Sequence, residues 1–128
     1  MNSELLALVD SGVLCLVLPL IYVALYAKQV GMPVISGNRE DAPEPTGMAG
    51  RGIRAHRNLL ENLVPFAIVV LVARGIGVSN AITVAGAWLF LGARIVHAIS
   101  YLAGIKGIRT LAYLASLVGT VMILSQLL

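Results

Sequence analysis

Four long, mostly apolar runs, Leu5 to Ala27, Met48 to Ala73, Ala81 to Leu102 and Ile108 to Leu128, take up most of this 128-residue chain. At a helical rise of about 1.5 Å per residue, each is long enough to cross a hydrocarbon layer of roughly 30 Å. Composition closes off a soluble alternative. With 59% hydrophobic and 12% charged residues and a mean hydropathy of +0.92, too few polar side chains remain to cover a water-soluble core. The expected fold is therefore all-α, an integral membrane four-helix bundle in one domain over residues 1–128, with helices at about 5–30, 48–73, 81–102 and 108–128. Asn2, Ser3 and Glu4 precede the first run without a positive charge, so that run reads as a membrane helix and not as a signal peptide.

Net charge is +3, but the nine Lys and Arg are scattered among apolar runs and form no basic stripe, so nucleic acid is not an expected partner. The single cysteine, Cys15, excludes an intramolecular disulfide and is expected to serve as a small buried hydrophobe. Asp10 lies within two turns of the first helix's start, where it can reach interfacial water, and Pro19 is expected to bend that helix. From Gly31 to Gly50 the residues turn to Pro, Gly, Asn and charged types, the composition of an aqueous loop. Lys28, Arg39, Arg51, Arg54 and Arg57 cluster around this loop, and Lys106 and Arg109 mark the third, against Arg74 alone at the second. The positive-inside rule then places loops one and three in the cytoplasm and both termini on the opposite side.

The second run opens unusually, as Arg54-Ala55-His56-Arg57-Asn58-Leu59-Leu60-Glu61. At a helical pitch Arg54, Asn58 and Glu61 share a face, and Arg57 and Glu61 are i, i+4 neighbours able to pair. The third run carries Arg94, His97 and Tyr101 at i, i+3 and i+7, and the fourth opens with Arg109 and Tyr113 at i, i+4. Counted inward from the outer helix ends, Glu61 lies about 18 Å deep, Arg94 about 21 Å and His97 about 25 Å. Polar groups of three helices thus converge on the cytoplasmic half of the bilayer. Ionisable groups at membrane depth are costly enough to suggest a functional site.

Several cationic and amide donors, one carboxylate and two phenols suit a small zwitterion or polyanion bearing carboxylates and an ammonium group. No metal site is expected, because His56, His97 and Cys15 belong to three different helices and no helix places His and carboxylate together at ligand spacing. A Ser-His-Asp triad is unsupported, since Asp10 lies near the opposite surface from His97, and no Gly-rich phosphate loop is present.

The string Arg54-Ala55-His56-Arg57-Asn58 with Glu61 and Pro65-Phe66, then Gly92-Ala93-Arg94 through His97 to Tyr101, then Arg109 and Tyr113, resembles the MAPEG family, the membrane-associated proteins of eicosanoid and glutathione metabolism. The second helix is most similar to that of the microsomal prostaglandin E synthase branch. The resemblance implies a homotrimer that binds glutathione, as cosubstrate, at subunit interfaces toward the cytoplasm. It implies that Arg54, Arg57, Asn58 and Glu61 hold the carboxylates and amine of glutathione, that His97, Tyr101 and Tyr113 line the same site, and that Arg109 faces the sulfur as the catalytic residue. Arg94 and Thr110 are auxiliary candidates, Thr110 standing where the prostaglandin synthase carries a serine. In the first helix, where relatives place a basic ligand contact, this chain offers Gly31, with Lys28 nearby.

The resulting expectation is a membrane glutathione transferase, with glutathione peroxidase or isomerase activity also open, acting on hydrophobic electrophiles that partition into the lipid. Two alternatives stand beside it. One is a non-catalytic lipid-binding scaffold of the same fold. The other is a small proton-coupled transporter using Glu61, against which Arg57 and Arg109 argue, because a permanent cation nearby holds a carboxylate ionised.

Overall fold

A computed structural model describes residues 1–128. The chain is 81% helical without strands. Its elements are α1 (Ser3–Val30), α2 (Met32–Ser36), α3 (Gly47–Gly75), α4 (Ala81–Ala103) and α5 (Lys106–Leu124). All but α2 are long and apolar enough to cross a membrane. Helices are the natural solution in lipid, since each satisfies its own backbone N–H and C=O groups without water.

Local chemistry sets the ends. Asn2 caps α1 by accepting from the Leu5 N–H. Asn80 and Thr83 form a reciprocal capping box at the start of α4, and Gly104, in the left-handed region at φ 77°, ends that helix and turns the chain into α5. α1 continues through Pro19, and α3 through Pro65. The stretch read as an aqueous loop is partly helical: α2 starts at Met32, with Pro33 in its first turn, and α3 already begins at Gly47. The segment between α2 and α3 is strapped to the first helix. The Tyr26 hydroxyl donates to the Pro43 carbonyl at 2.6 Å, and the Gln29 amide exchanges two hydrogen bonds with the Thr46 backbone.

The core lies in the half of the bundle away from this loop. Phe66 of α3 and Phe90 of α4 stack at 3.8 Å between ring centroids, nearly parallel, with Ala7, Val70, Ala87 and Ile123 packed around them. Lipid tails are as apolar as leucine, so close packing rather than water exclusion holds membrane helices together, and small residues permit it. Gly86 and Gly119 show this most sharply: a Cβ on either would come within 2.6 Å of the other's carbonyl oxygen, so α4 and α5 touch backbone to backbone. Gly52 does the same for α3 against α1, where a Cβ would lie 2.8 Å from that of Tyr22.

Polar ties close both ends. Glu4 is buried and accepts from the Ser79 and Thr83 hydroxyls at 2.7 and 2.6 Å, pinning the start of α1 to the α3–α4 turn. At the opposite end Arg51 Nε donates to the Leu102 carbonyl at 3.0 Å, joining the first turns of α3 to the end of α4. These ties hold α4 to α1 at one end and to α3 at the other, and between them polar residues of α3, α4 and α5 meet.

Candidate functional site

α4 aims Arg94 and His97 into the bundle and leaves Tyr101 half-buried nearer the helix end, as their one-face spacing requires. Asn58 of α3, His97 and Tyr101 of α4, and Arg109, Thr110 and Tyr113 of α5 line one cavity of about 240 Å³. Arg94 lies beneath it. This guanidinium, 1% exposed, donates from Nη2 to Asn58 Oδ1 at 2.8 Å, contacts His97 Nδ1 at 3.4 Å from the same nitrogen, and reaches Ser116 Oγ from Nη1 at 3.5 Å. All three partners are uncharged. A buried cation without a carboxylate beside it is electrostatically incomplete, and it raises the affinity of the neighbouring cavity for an anion.

Above the cavity, Arg109 stacks on the Tyr101 ring, its Cζ 4.3 Å from the centroid, and Tyr101 meets the His97 ring edge-on at 5.5 Å. The cation–π contact holds the guanidinium in place against the cavity. Arg54 approaches the same ring from α3 at 6.0 Å. Thr110 donates its hydroxyl proton to the Lys106 carbonyl at 3.3 Å, which leaves only oxygen lone pairs for the cavity. Lys28 is exposed at the end of α1 and does not line the cavity.

The residues expected to act together therefore divide. Asn58, His97, Tyr101, Arg109, Thr110 and Tyr113 meet within one chain, with Arg54 at the rim. Arg57 and Glu61 do not meet them. They stand exposed on the flank of α3, on a strip that continues through exposed Val64, Ile68 and Leu71. Arg94, an auxiliary by sequence, turns out to be the buried organiser of the cluster. Sequence reasoning missed Asn62, whose amide donates to the Asn58 carbonyl at 2.8 Å, and Ser116, which donates to the Tyr113 carbonyl at 2.7 Å while accepting from Arg94. Both were detectable as polar residues on the same helical face as a site residue, Asn62 at i+4 from Asn58 and Ser116 at i+3 from Tyr113. Cys15 also departs from its expected role: it is half-buried, and its Sγ lies 3.6 Å from His56 Nε2 across the contact between α1 and α3.

The model of the MAPEG family matches residues 5–128. The chain belongs to the MAPEG family. A search of curated proteins returns no match. The family includes membrane glutathione transferases and related enzymes, and its members typically use glutathione. The match covers all four membrane helices, so every residue of the cavity lies within the part of this MAPEG chain that the family defines.

A larger groove of about 400 Å³ runs between α4 and α5 on the other side of their seam, lined by Trp88, Val96, Ile108, Leu111 and other almost wholly apolar residues. Apart from the Trp88 indole, its lining has no hydrogen-bonding or ionisable side chain. The smaller cavity, by contrast, is lined by Asn58, His97, Tyr101, Arg109, Thr110 and Tyr113, all of them polar or ionisable.

Proposed function

We propose that this protein is a membrane-bound glutathione transferase, with Arg109 as the residue that holds the sulfur of glutathione as thiolate. The observation that carries this reading is the Arg109 guanidinium stacked 4.3 Å over Tyr101 at the mouth of a donor-lined cavity. A free thiol has a pKa of about 8.5, and only the thiolate is a good nucleophile. A cation beside the sulfur that lowers this by about two units supplies roughly 2.7 kcal/mol of differential stabilisation. The thiol proton leaves to water, the thiolate attacks an electrophilic carbon, a carbon–sulfur bond forms, and the leaving group departs with the electron pair. The cavity opens beside helices that face lipid, so electrophiles dissolved in the bilayer reach the sulfur without crossing water. A thiolate held this way also attacks the terminal oxygen of a lipid hydroperoxide, breaking the O–O bond and expelling the alkoxide, which is protonated to the lipid alcohol; the resulting glutathione sulfenic acid condenses with the thiol of a second glutathione to give the disulfide and water.

The assembly proposed is a homotrimer with the site toward the cytoplasm and both termini on the other side. Arg57 and Glu61 support it, since charged side chains on an otherwise apolar flank of α3 are poorly placed against lipid tails. Against a neighbouring subunit the same strip, Arg57 and Glu61 followed by Val64, Ile68 and Leu71, brings further carboxylate- and amine-binding groups to the glutathione cavity and packs apolar surface below them.

The test is to purify the protein in detergent and measure glutathione binding, with and without conjugation to a model aryl halide. Binding with conjugation is the expected result. Binding without turnover of aryl halide, lipid peroxide or endoperoxide leaves a lipid-binding scaffold, and absence of binding overturns the reading. Endoperoxide belongs in the panel because the second-helix motif resembles that of microsomal prostaglandin E synthase, which makes isomerisation a third outcome to score.

A further inference from the structure

The contacts of Arg94 determine which atoms its neighbours offer to the cavity. A guanidinium only donates. The 2.8 Å contact from Arg94 Nη2 to Asn58 Oδ1 therefore sets the amide with its oxygen toward Arg94 and its NH₂ turned away. Likewise His97 Nδ1, 3.4 Å from the same nitrogen, accepts, and the one proton of a neutral imidazole sits on Nε2. The only partly or fully buried side-chain polar atoms that are both sealed and unpaired are Glu4 Oε2 and Arg94 Nε. His97 Nε2 has no hydrogen bond within the chain and is not one of those two, so it keeps open surface. With His97 itself buried, that surface lies on the cavity the ring lines; Asn58, half-buried, lines the same cavity, and its Nδ2 is likewise unsealed and without a partner in the chain.

We infer that Arg94 is a positioning residue that presets His97 as a fixed Nε2–H donor and Asn58 as an amide donor to an anionic group in the cavity, so that His97 is not the base for the thiol. The groups around His97 agree. Arg94 and Tyr101 face it from α4, Arg109 and Tyr113 from α5, and Arg54 stands beyond the Tyr101 ring; α1 contributes nothing to the lining, and no carboxylate lines it. His97 Nε2 already holds a proton, and Nδ1 faces a permanent cation, so neither nitrogen is free to take another. The cavity is thus an anion receptor whose donors are oriented before the ligand arrives, which avoids reorganisation on binding. The identity of the ligand rests on the glutathione reading above, whereas the proton assignment does not.

The first test uses no ligand. The chain has two histidines, so a His56→Gln background leaves one imidazole, and ¹⁵N spectra of the detergent-purified protein report its tautomer. A single Nε2–H tautomer is expected, giving way to a mixture in Arg94→Met. An Nδ1–H form or a mixture in the Arg94 protein itself overturns the inference, and that spectrum does not depend on any Arg94 variant folding. The second test is kinetic. A glutamine amide can replace an Nε2–H donor but not a base. His97→Leu is therefore expected to raise the KM for glutathione about tenfold or more, as loss of a hydrogen bond to a charged group does, and His97→Gln to recover a substantial part of that loss. Equal loss of kcat in both variants would make His97 a base and refute the inference. If no variant and no parent binds glutathione, the proposed function fails, and the tautomer spectrum still decides the role of Arg94.

Discussion

Gly119→Ala is expected to damage both stability and activity, although it adds one methyl group well away from the cavity lining. The added Cβ would lie 2.5 Å from the Gly86 carbonyl oxygen and 2.8 Å from the Phe90 nitrogen, whereas ordinary contact begins near 3.4 Å. α5 must therefore withdraw from α4 by about 0.9 Å at this point. Both obstacles are backbone atoms, so no side chain can rotate away. Overpacking of this kind costs about 1–3 kcal/mol. Gly119 is three residues beyond Ser116 and six beyond Tyr113, or about 4.5 and 9 Å along the helix axis. The displacement consequently reaches the Arg94–Ser116 contact, already long at 3.5 Å, and shifts Tyr113 and Arg109 relative to His97. A misplacement approaching 1 Å in a catalytic constellation is worth up to about a hundredfold, and a loss of kcat between roughly tenfold and a hundredfold is expected. Unfolding in mixed detergent micelles measures the first effect and conjugation of an aryl halide the second. Gly92→Ala is the control, since nothing lies within 4 Å of its added Cβ; it should stabilise α4 by about 0.5–1 kcal/mol through backbone entropy. If Gly119→Ala is as stable as the parent and turns over at the parent rate, the glycine contact does not set the α4–α5 geometry.

Other substitutions separate binding from chemistry. In the proposed assembly Glu61 binds glutathione equally in ground and transition states, so Glu61→Ala should raise the KM for glutathione while kcat holds; a fall in kcat alone would contradict that role. Arg109→Ala should lower kcat by on the order of a hundredfold, as loss of a single oxyanion donor does. The same change should raise the pKa of bound glutathione, so that activity persists to lower pH in the parent than in the variant; identical pH profiles would remove Arg109 as thiolate stabiliser. Cysteines introduced at Asn38 and Gly107 in a Cys15→Ser background should be labelled only from the cytoplasmic side and one at Ser79 only from outside, and the reverse pattern would invert the site.

How far the site was readable depended on what each helix face packs against. Arg94, His97 and Tyr101 stood out by spacing, because on α4 the polar stripe and the buried stripe coincide. On α3 they do not. Asn58 turns inward beside Asn62, Ala55 and Leu59, while Arg57 and Glu61 fall on the exposed flank, although the spacing puts Asn58 and Glu61 on one face with Arg54. In water an apolar stripe marks the core, but in lipid both flanks are apolar, and Val64 and Ile68, exposed, look no different from Phe66 and Val70, buried. The depth of Arg94's burial was hidden for a related reason: nothing in its own helix reveals that Asn58, 36 residues earlier, and Ser116, 22 later, would supply its partners. The same holds for Cys15 and His56, whose meeting depends on how α1 packs against α3. The four membrane runs were legible because length and hydropathy alone decide them.

Whether Arg109 and its cavity make a thiolate of glutathione is the point on which the proposed function stands. Titrating purified protein with glutathione at neutral pH, and following the ultraviolet absorbance of the thiolate, tests this directly. Saturable thiolate formation is expected in the parent and is expected to be abolished in Arg109→Ala while calorimetry still detects much of the binding. Saturable binding with no thiolate in the parent protein, or thiolate that persists undiminished without Arg109, would contradict it.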